Sequence, residues 1–390
     1  MSSQALIDLS PLWQLLLLAS ALAALAAGWL WLRQRGLSGL GWLRALTLLT
    51  LFLSFDLVLF GAFTRLSDSG LGCPDWPGCY ASASPVGARA AISAAESAMP
   101  SGPVTHTKAW IEMLHRYMAG GVGALILLLA AATWRERLRA GNPQAQPDPW
   151  LPTLTLLWVC VQGAFGALTV TMKLFPAIVT LHLLGGLLLL VLLGVQAERL
   201  GRQQQQRSRL PLDRATRALL LLGCAALALQ LALGGWVSTN YAVLACTDFP
   251  QCQASWWPDM RFDQGFQIWR ELGLAADGSP IRFEALTAIH VAHRLMAFVV
   301  VALLGLLAWR LGAVAGLRTN ARWLAALLLM QFASGLANVL LGWPLAAALA
   351  HTAGAAALAV VLGWTVAATA ARPRTNAQAE HRLNRSDAPA

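Results

Sequence analysis

Charged residues are scarce in this 390-residue chain: Asp, Glu, Lys and Arg together make up 12%, whereas hydrophobic residues make up 57%. A soluble domain needs more charge to cover its surface, so the composition excludes a soluble enzyme or binding module. Basic residues are also absent before the first hydrophobic run, because Met1–Pro11 contains no Lys or Arg. A secretory signal peptide starts with such residues, so we interpret this run as a retained helix.

Long apolar runs dominate the chain instead. A helix that crosses a bilayer needs about 20 mostly apolar residues, and nine runs meet this requirement. They lie at Leu12–Leu32, Leu43–Phe63, Trp110–Thr133, Trp150–Thr171, Pro176–Ala197, Ala218–Ser238, Ala285–Trp309, Trp323–Trp343 and Leu345–Ala370. The predicted fold class is therefore an all-α integral membrane protein.

Arginine is concentrated in the loops on one side of these spans. Of the 28 Lys and Arg residues, 19 fall on that side. Positively charged loops stay in the cytoplasm, which predicts a multi-pass protein of a bacterial inner membrane with a periplasmic N-terminus and a cytoplasmic C-terminus. The formal net charge of +10 is scattered over short loops. It therefore fits the anionic inner leaflet, and no nucleic acid is expected as a partner.

An internal repeat organises the sequence. The segment Cys73–Cys79 recurs as Cys246–Cys252, with both cysteines, an Asp, a Pro and an aromatic residue in register. The same register matches His115-Arg116 with His293-Arg294, Gln162 and Gly166 with Gln331 and Gly335, and His182 with His351. Membrane folds often arise by such duplication.

The repeat predicts two pseudo-symmetric four-helix transmembrane bundles, preceded by one extra N-terminal transmembrane helix. The extra helix and its loop occupy residues 1–42, and the first bundle occupies residues 43–217. The second bundle occupies residues 218–370, and residues 371–390 form a cytoplasmic tail. Each half carries one long outer loop, at Thr64–Ala109 and Thr239–Glu284.

Four histidines lie at similar depth in this repeat, two in each half: His115, His182, His293 and His351. Two imidazoles on facing helices can bind one heme iron from both sides in a four-helix bundle, so each half is predicted to hold one heme. Zinc would need a third or fourth protein ligand. The alternative is that these are hydrogen-bonded core histidines without a metal. A histidine inside a membrane helix is costly without a function or a partner, and four in register favour ligation.

Polar residues beside the candidate ligands differ in how specifically they indicate a heme site. Arg116 and Arg294 each follow a histidine, where a guanidinium could bind heme propionates or simply extend to the membrane interface. Glu112 lies three residues before His115, on the same helix face, and His290 stands at that place in the second half. A carboxylate beside a heme edge could relay protons or stabilise positive charge. The alternative is a solvated residue near the start of a helix.

The four loop cysteines, Cys73, Cys79, Cys246 and Cys252, are predicted to form two short disulfides in an oxidising compartment. Whether these pairs are structural clips or act in electron or heme transfer stays open.

At this point a family resemblance appears. The run from Gly61 to Pro77, followed by Ile111-Glu112-Met113-Leu114-His115-Arg116, resembles the heme A synthase family, and the likeness spans about Leu43 to Ala370. Members of that family consist of two pseudo-symmetric four-helix bundles and convert the C8 methyl of heme o into the formyl group of heme A by successive hydroxylations. The extra helix Leu12–Leu32 and His290 depart from the family pattern.

The resemblance implies a role for each candidate residue. His115 and His182 would bind the substrate heme o, with Glu112 as the catalytic carboxylate, and His293 and His351 would bind a heme b cofactor. Heme o synthase, cytochrome oxidase assembly factors and an unspecified electron donor or acceptor are the expected partners.

Two other classes of function remain. A bis-histidine cytochrome b that relays electrons would also need two hemes, although a carboxylate in one half only argues against it. A heme carrier or assembly factor without catalysis would use the cysteine pairs instead.

Overall fold

The computed structural model describes residues 6–37, 39–141 and 146–371. Eleven helices lie in these ranges: α1 (Leu12–Arg33), α2 (Leu40–Leu66), α3 (Arg89–Ala98), α4 (His106–Arg139), α5 (Trp150–Thr171), α6 (Pro176–Gln204), α7 (Arg214–Thr239), α8 (Phe262–Gly265), α9 (Phe283–Gly312), α10 (Arg318–Leu340) and α11 (Leu345–Ala368). All except α3 and α8 are long and apolar enough to cross a membrane. This confirms the predicted fold class. Apart from Ala371, the predicted tail lies outside the described residues.

Most helices extend beyond their apolar runs, because polar residues continue or cap them. Thr105 Oγ1 accepts a hydrogen bond from the Lys108 N–H (3.2 Å) and starts α4, and the carboxylate of Asp213 caps α7 through Thr216. Two of the predicted spans extend too far at their C-terminal ends. The tenth helix stops at Leu340, because Gly342 and Trp343 adopt positive φ angles of 68° and 64°.

The last predicted span was also too long, because its final residues form a strand. Strand β4 (Thr369–Ala371) pairs in parallel with β3 (Leu210–Leu212) in the loop between the halves. The end of α11 is thereby fixed to the start of the second half.

The two halves pack against each other through their last helices, α6 and α11. Gly194 of α6 faces Val360 of α11, and Gly363 of α11 faces Val191 of α6. Each glycine stands twelve residues after the candidate ligand of its own helix. The contact is therefore reciprocal, as expected for two related units, and small residues let the backbones approach closely.

The extra helix α1 covers the first half and has no counterpart on the second. It packs on α4, where the Cα hydrogens of Gly120 and Gly121 face Ala19 and Leu22 of α1. Strand β1 (Ile7–Asp8), just before it, pairs with β2 (Trp76–Pro77) of the first cysteine loop. The N-terminal segment therefore holds both a helix and the loop of the first half.

Candidate functional site

The structure brings the four predicted histidines together in two pairs. His115 on α4 and His182 on α6 lie within electrostatic range of each other, and so do His293 on α9 and His351 on α11. Protein surrounds every ring, yet each histidine keeps part of its surface accessible.

Each of these rings faces a glycine of a neighbouring helix. A Cβ atom placed on Gly61 would lie 2.9 Å from His115 Nε2, and one on Gly234 would lie 2.9 Å from His293 Cε1. The corresponding distances are 3.7 Å from Gly166 to His182 Cε1 and 3.3 Å from Gly335 to His351 Cε1. Glycine inside a helix costs roughly 0.5–1 kcal/mol relative to alanine. Glycine therefore lets the rings of His115, His293 and His351 lie closer to the neighbouring helix than a side chain there would allow, whereas a methyl group on Gly166 would make an ordinary contact with His182.

Sequence reasoning did not connect these glycines with the histidines. The signal was available, because Gly61 and Gly234 each stand twelve residues before the first cysteine of their loop. The glycines that follow the histidines along α4 and α6 do not contact these rings. Gly185, for example, faces the side chain of Gln162.

Glu112 is buried, with 4% of its surface exposed, so its interpretation as a solvated residue at the start of a helix is wrong. Its Oε2 accepts a hydrogen bond from the Cys73 N–H (2.8 Å), and its Oε1 forms an ion pair with Arg116. The carboxylate therefore ties the first cysteine loop to the helix that carries His115, one turn away.

His290 occupies the equivalent place in the second half and also binds its loop. Its Nδ1 lies 3.0 Å from the carbonyl oxygen of Ala242, which belongs to a short 3-10 turn at Ala242–Leu244. A carbonyl only accepts hydrogen bonds, so this nitrogen is the donor.

The two arginines anchor the cysteine loops. Arg116 donates to the carbonyl oxygens of Asp75 (2.8 Å), Pro77 (3.2 Å) and Gly78. Arg294 donates to those of Asp248 (2.9 Å), Gln251 (3.0 Å) and Cys246 (2.9 Å). Sequence reasoning offered propionate binding or extension to the interface, and the structure shows a third use of these donors.

The shared aspartate of the repeated motif closes each loop. The Asp75 carboxylate accepts from the N–H groups of Tyr80 (2.6 Å) and Ala81 (2.7 Å). Asp248 accepts in the same way from Gln253 (2.8 Å) and Ala254 (2.9 Å). These backbone hydrogen bonds lower the pKa of Asp248.

Both predicted disulfides are present, between Cys73 and Cys79 and between Cys246 and Cys252. Their predicted alternative as redox centres is not tested by this geometry.

The sequence reasoning missed one ionisable residue inside a membrane helix. Asp56 is a partly buried carboxylate inside α2, five residues before Gly61. The repeat places Leu229 at this point of the second half. Ionisable residues inside membrane helices are costly and tend to be functional.

Each half thus combines two neighbouring histidines with two glycines that adjoin their rings. The profile of the COX15-CtaA family, described as cytochrome oxidase assembly protein, matches residues 44–362. The chain belongs to this family. The matched region starts after α1, so the extra helix lies outside the family's common part.

Three relatives in this family carry the name heme A synthase. That of Shewanella oneidensis is 38% identical over 324 residues, which cover 82% of this chain and 93% of the relative. That of Symbiobacterium thermophilum is 28% identical and covers 75% of this chain and 84% of the relative. The protein of Rhizorhabdus wittichii is 26% identical, with 78% and 88% covered. The chain is thus similar to whole members of the family.

Proposed function

We propose that this membrane enzyme is a heme A synthase, which oxidises the C8 methyl of heme o to a formyl group. The reaction would proceed by two hydroxylations, each of which adds one oxygen atom and removes two electrons from the methyl carbon and so requires an external two-electron oxidant, to a hydrated aldehyde that loses water. The observation that supports this most directly is the pair of facing histidines in each half, with glycines beside the rings. The heme A synthases among its family relatives point to the same activity.

The two halves would divide the work. In this proposal His115 and His182 bind heme o, and His293 and His351 bind heme b as a cofactor. Bound heme supplies iron-centred redox chemistry. The chain's own contribution is to orient the two rings and to keep lipid and water away from them.

Contact with heme propionates stays a prediction for Arg116 and Arg294, because their terminal nitrogens donate to loop carbonyls. Arg294 Nε, buried and without a hydrogen-bond partner among the described residues, is a donor left for such a contact. The bacterial inner membrane, the periplasmic N-terminus and the oxidase-assembly partners likewise stay predictions.

Glu112 is proposed as the catalytic carboxylate. It is one turn from His115, and residues at this spacing lie about 5–6 Å apart on a helix surface. A carboxylate at this place can take up a proton or stabilise positive charge that develops on the oxidised carbon. Two donors, the Cys73 N–H and Arg116, hold it in position.

The test compares Glu112→Ala with Glu112→Gln in membranes supplied with heme o, followed by extraction and mass analysis of the hemes. Both variants should form heme A at least about 100-fold more slowly, since a general acid or base contributes that much, while total heme stays near normal. Glutamine keeps an acceptor for the Cys73 N–H, so it separates loss of charge from loss of the loop contact.

Three outcomes decide the proposal. Unchanged conversion in both variants removes Glu112 from the chemistry, and loss in Glu112→Ala alone makes it a loop anchor. Wild-type protein that contains heme b but never forms hydroxylated heme or heme A would be an electron relay or a carrier.

A further inference from the structure

The second-half ligand His351 is fixed by a hydrogen bond from a neighbouring helix. Its Nδ1 lies 3.0 Å from the hydroxyl oxygen of Ser334 on α10. That hydroxyl has one proton, and we assign it to the Met330 carbonyl, because this contact (2.7 Å) is shorter than those to His351 Nδ1 and to the Gln331 carbonyl (3.3 Å). Towards His351 it can therefore only accept. Nδ1 then carries the imidazole proton, and Nε2 keeps a free lone pair for iron.

A second contact holds the backbone at the same place. Gln331 Nε2 donates to the carbonyl oxygen of His351 at 2.7 Å. The amide reaches this oxygen across Gly354, where a Cβ atom would lie 2.3 Å from Gln331 Nε2. Both the ring and the backbone of His351 are thus held by α10.

The first half lacks this arrangement. The repeat places Phe165 where the second half has Ser334, and phenylalanine offers no hydrogen bond. His182 Nδ1 is buried and has no hydrogen-bond partner within the part of the chain that the structure describes. The same is true of both amide atoms of Gln162, the counterpart of Gln331.

Hydrogen bonds to the second nitrogen of a ligating histidine fix its tautomer and orientation and increase its basicity, and their removal typically weakens metal binding about 10- to 100-fold. Of the two histidines on the last helix of each half, His351 is therefore oriented before heme binds, whereas His182 is not. The Nδ1 of His293, the other candidate ligand of the second half, is buried and unpartnered among the described residues, like that of His182. A hydrogen-bonded ligand such as His351 suits a cofactor that stays bound. A ligand without this bond, such as His182, suits a substrate that must enter and leave.

We propose that Ser334 is a positioning residue that fixes His351 for iron binding, and that Phe165 leaves His182 as the more easily exchanged iron ligand. The assignment of these two ligands to cofactor and substrate rests on the proposed function. The predicted difference in heme exchange between the halves is independent of the proposed function.

The experiment measures transfer of heme from full-length protein, loaded with heme b in both halves, to excess apomyoglobin. Wild-type protein should show a fast and a slow phase. His182→Ala should remove the fast phase and His351→Ala the slow one, which assigns each phase to a half. Ser334→Ala should accelerate the slow phase about 10- to 100-fold and leave the fast phase unchanged. Phe165→Ser should slow the fast phase.

Thr352→Ala is the matched control, because the Thr352 hydroxyl is next to His351 and, among the described residues, bonds only the Ala348 carbonyl of its own helix (3.1 Å). It should change neither phase. An unchanged slow phase in Ser334→Ala, or the same acceleration in Thr352→Ala, overturns the inference. If Ser334→Ala holds no second heme, Ser334→Thr decides: the restored hydroxyl should restore retention, and failure to do so overturns the inference.

Exchange is measured without turnover, so the outcome is independent of the proposed function. If the protein forms no heme A but shows the Ser334 effect, the proposed function is wrong and this inference stands.

Discussion

The two halves use the position one turn before their first histidine in opposite ways. In the first half, Glu112 accepts a hydrogen bond from the loop backbone at Cys73. In the second half, His290 donates one to the loop carbonyl of Ala242. Both side chains therefore join a helix that carries a proposed ligand to its cysteine loop, but only the first brings a carboxylate next to such a histidine. Duplication has kept the mechanical role of this position and changed its chemistry.

The groups that build the loops have not diverged in this way. Arg116 and Arg294 hold carbonyls of their loops, and Asp75 and Asp248 close them through the same two backbone positions. The differences are concentrated next to the ligands, at Glu112 and at Ser334 with its counterpart. This distribution is what a division between substrate and cofactor would produce.

The largest expected effect is the loss of one heme when a ligand is removed. His293→Ala or His351→Ala should lower the bound heme by roughly half, since one of two sites loses an axial ligand, and the first half should keep its own. Heme content per protein and the low-spin iron spectrum measure this. The result would sharpen the comparison, because Glu112→Ala should leave heme content near normal.

A different result for His293→Ala would break the comparison. Full heme content with a six-coordinate low-spin spectrum would mean that His290 or another group binds the iron. His290 would do so through Nε2, because its Nδ1 donates to the Ala242 carbonyl and leaves the lone pair of Nε2 free.

Sequence alone predicted the features that depend on local spacing. Apolar run length located the nine spans found in the described residues. The outer location and the repeated six-residue separation of the cysteines predicted both disulfides, because a short loop can bring its two ends together. The pairing of His115 with His182 followed from equal depth in the repeat.

Features that depend on which helix faces meet were not predictable in this way. The glycine opposite each histidine, the hydroxyl of Ser334 at His351 and the docking of α1 on Gly120 all join residues that are far apart in the chain. The role of Arg116 was missed for the same reason, since it depends on how the loop folds back over α4.

A smaller effect is expected when the space beside one ring is filled. Gly61→Ala places a Cβ atom 2.9 Å from His115 Nε2, and Gly234→Ala places one 2.9 Å from His293 Cε1. Each ring would have to shift, and overpacking of this kind costs about 1–3 kcal/mol. Each variant should therefore weaken heme retention in its own half only, measured as heme content after dilution.

Gly123→Ala on α4 is the control for these variants, because no atom of the described residues lies within 4 Å of its Cβ position, apart from its chain neighbours and the backbone of its own helix. It should be neutral or stabilise the helix slightly. Equal loss in both halves from Gly61→Ala would show that the two sites are not independent.

The smallest effect concerns the aspartates that close the loops. Asp75 is buried, with 1% of its surface exposed, whereas Asp248 is more accessible. In each case asparagine replaces an acceptor oxygen with an NH2 group that faces a backbone N–H. The cost should be about 1–3 kcal/mol at the buried site and less than about 1 kcal/mol at the accessible one, where water can compensate.

The rate at which a phosphine reductant opens each disulfide, followed by alkylation and peptide mass, measures these costs separately for the two loops. Backbone hydrogen bonds lower the pKa of Asp248 in the folded protein, so its stabilisation is fully present above the unfolded value of about 3.9 and is lost as pH falls through the lower folded value. The Cys246–Cys252 loop of the wild type should therefore stay protected from neutral pH down to about pH 4 and open faster below it. Asp248→Asn should remove this dependence. Because Asp75 is buried and Asp248 is more accessible, Asp75→Asn should accelerate reduction of the Cys73–Cys79 disulfide more than Asp248→Asn accelerates reduction of Cys246–Cys252. Equal effects would mean that burial of the aspartate does not determine how strongly it stabilises its loop.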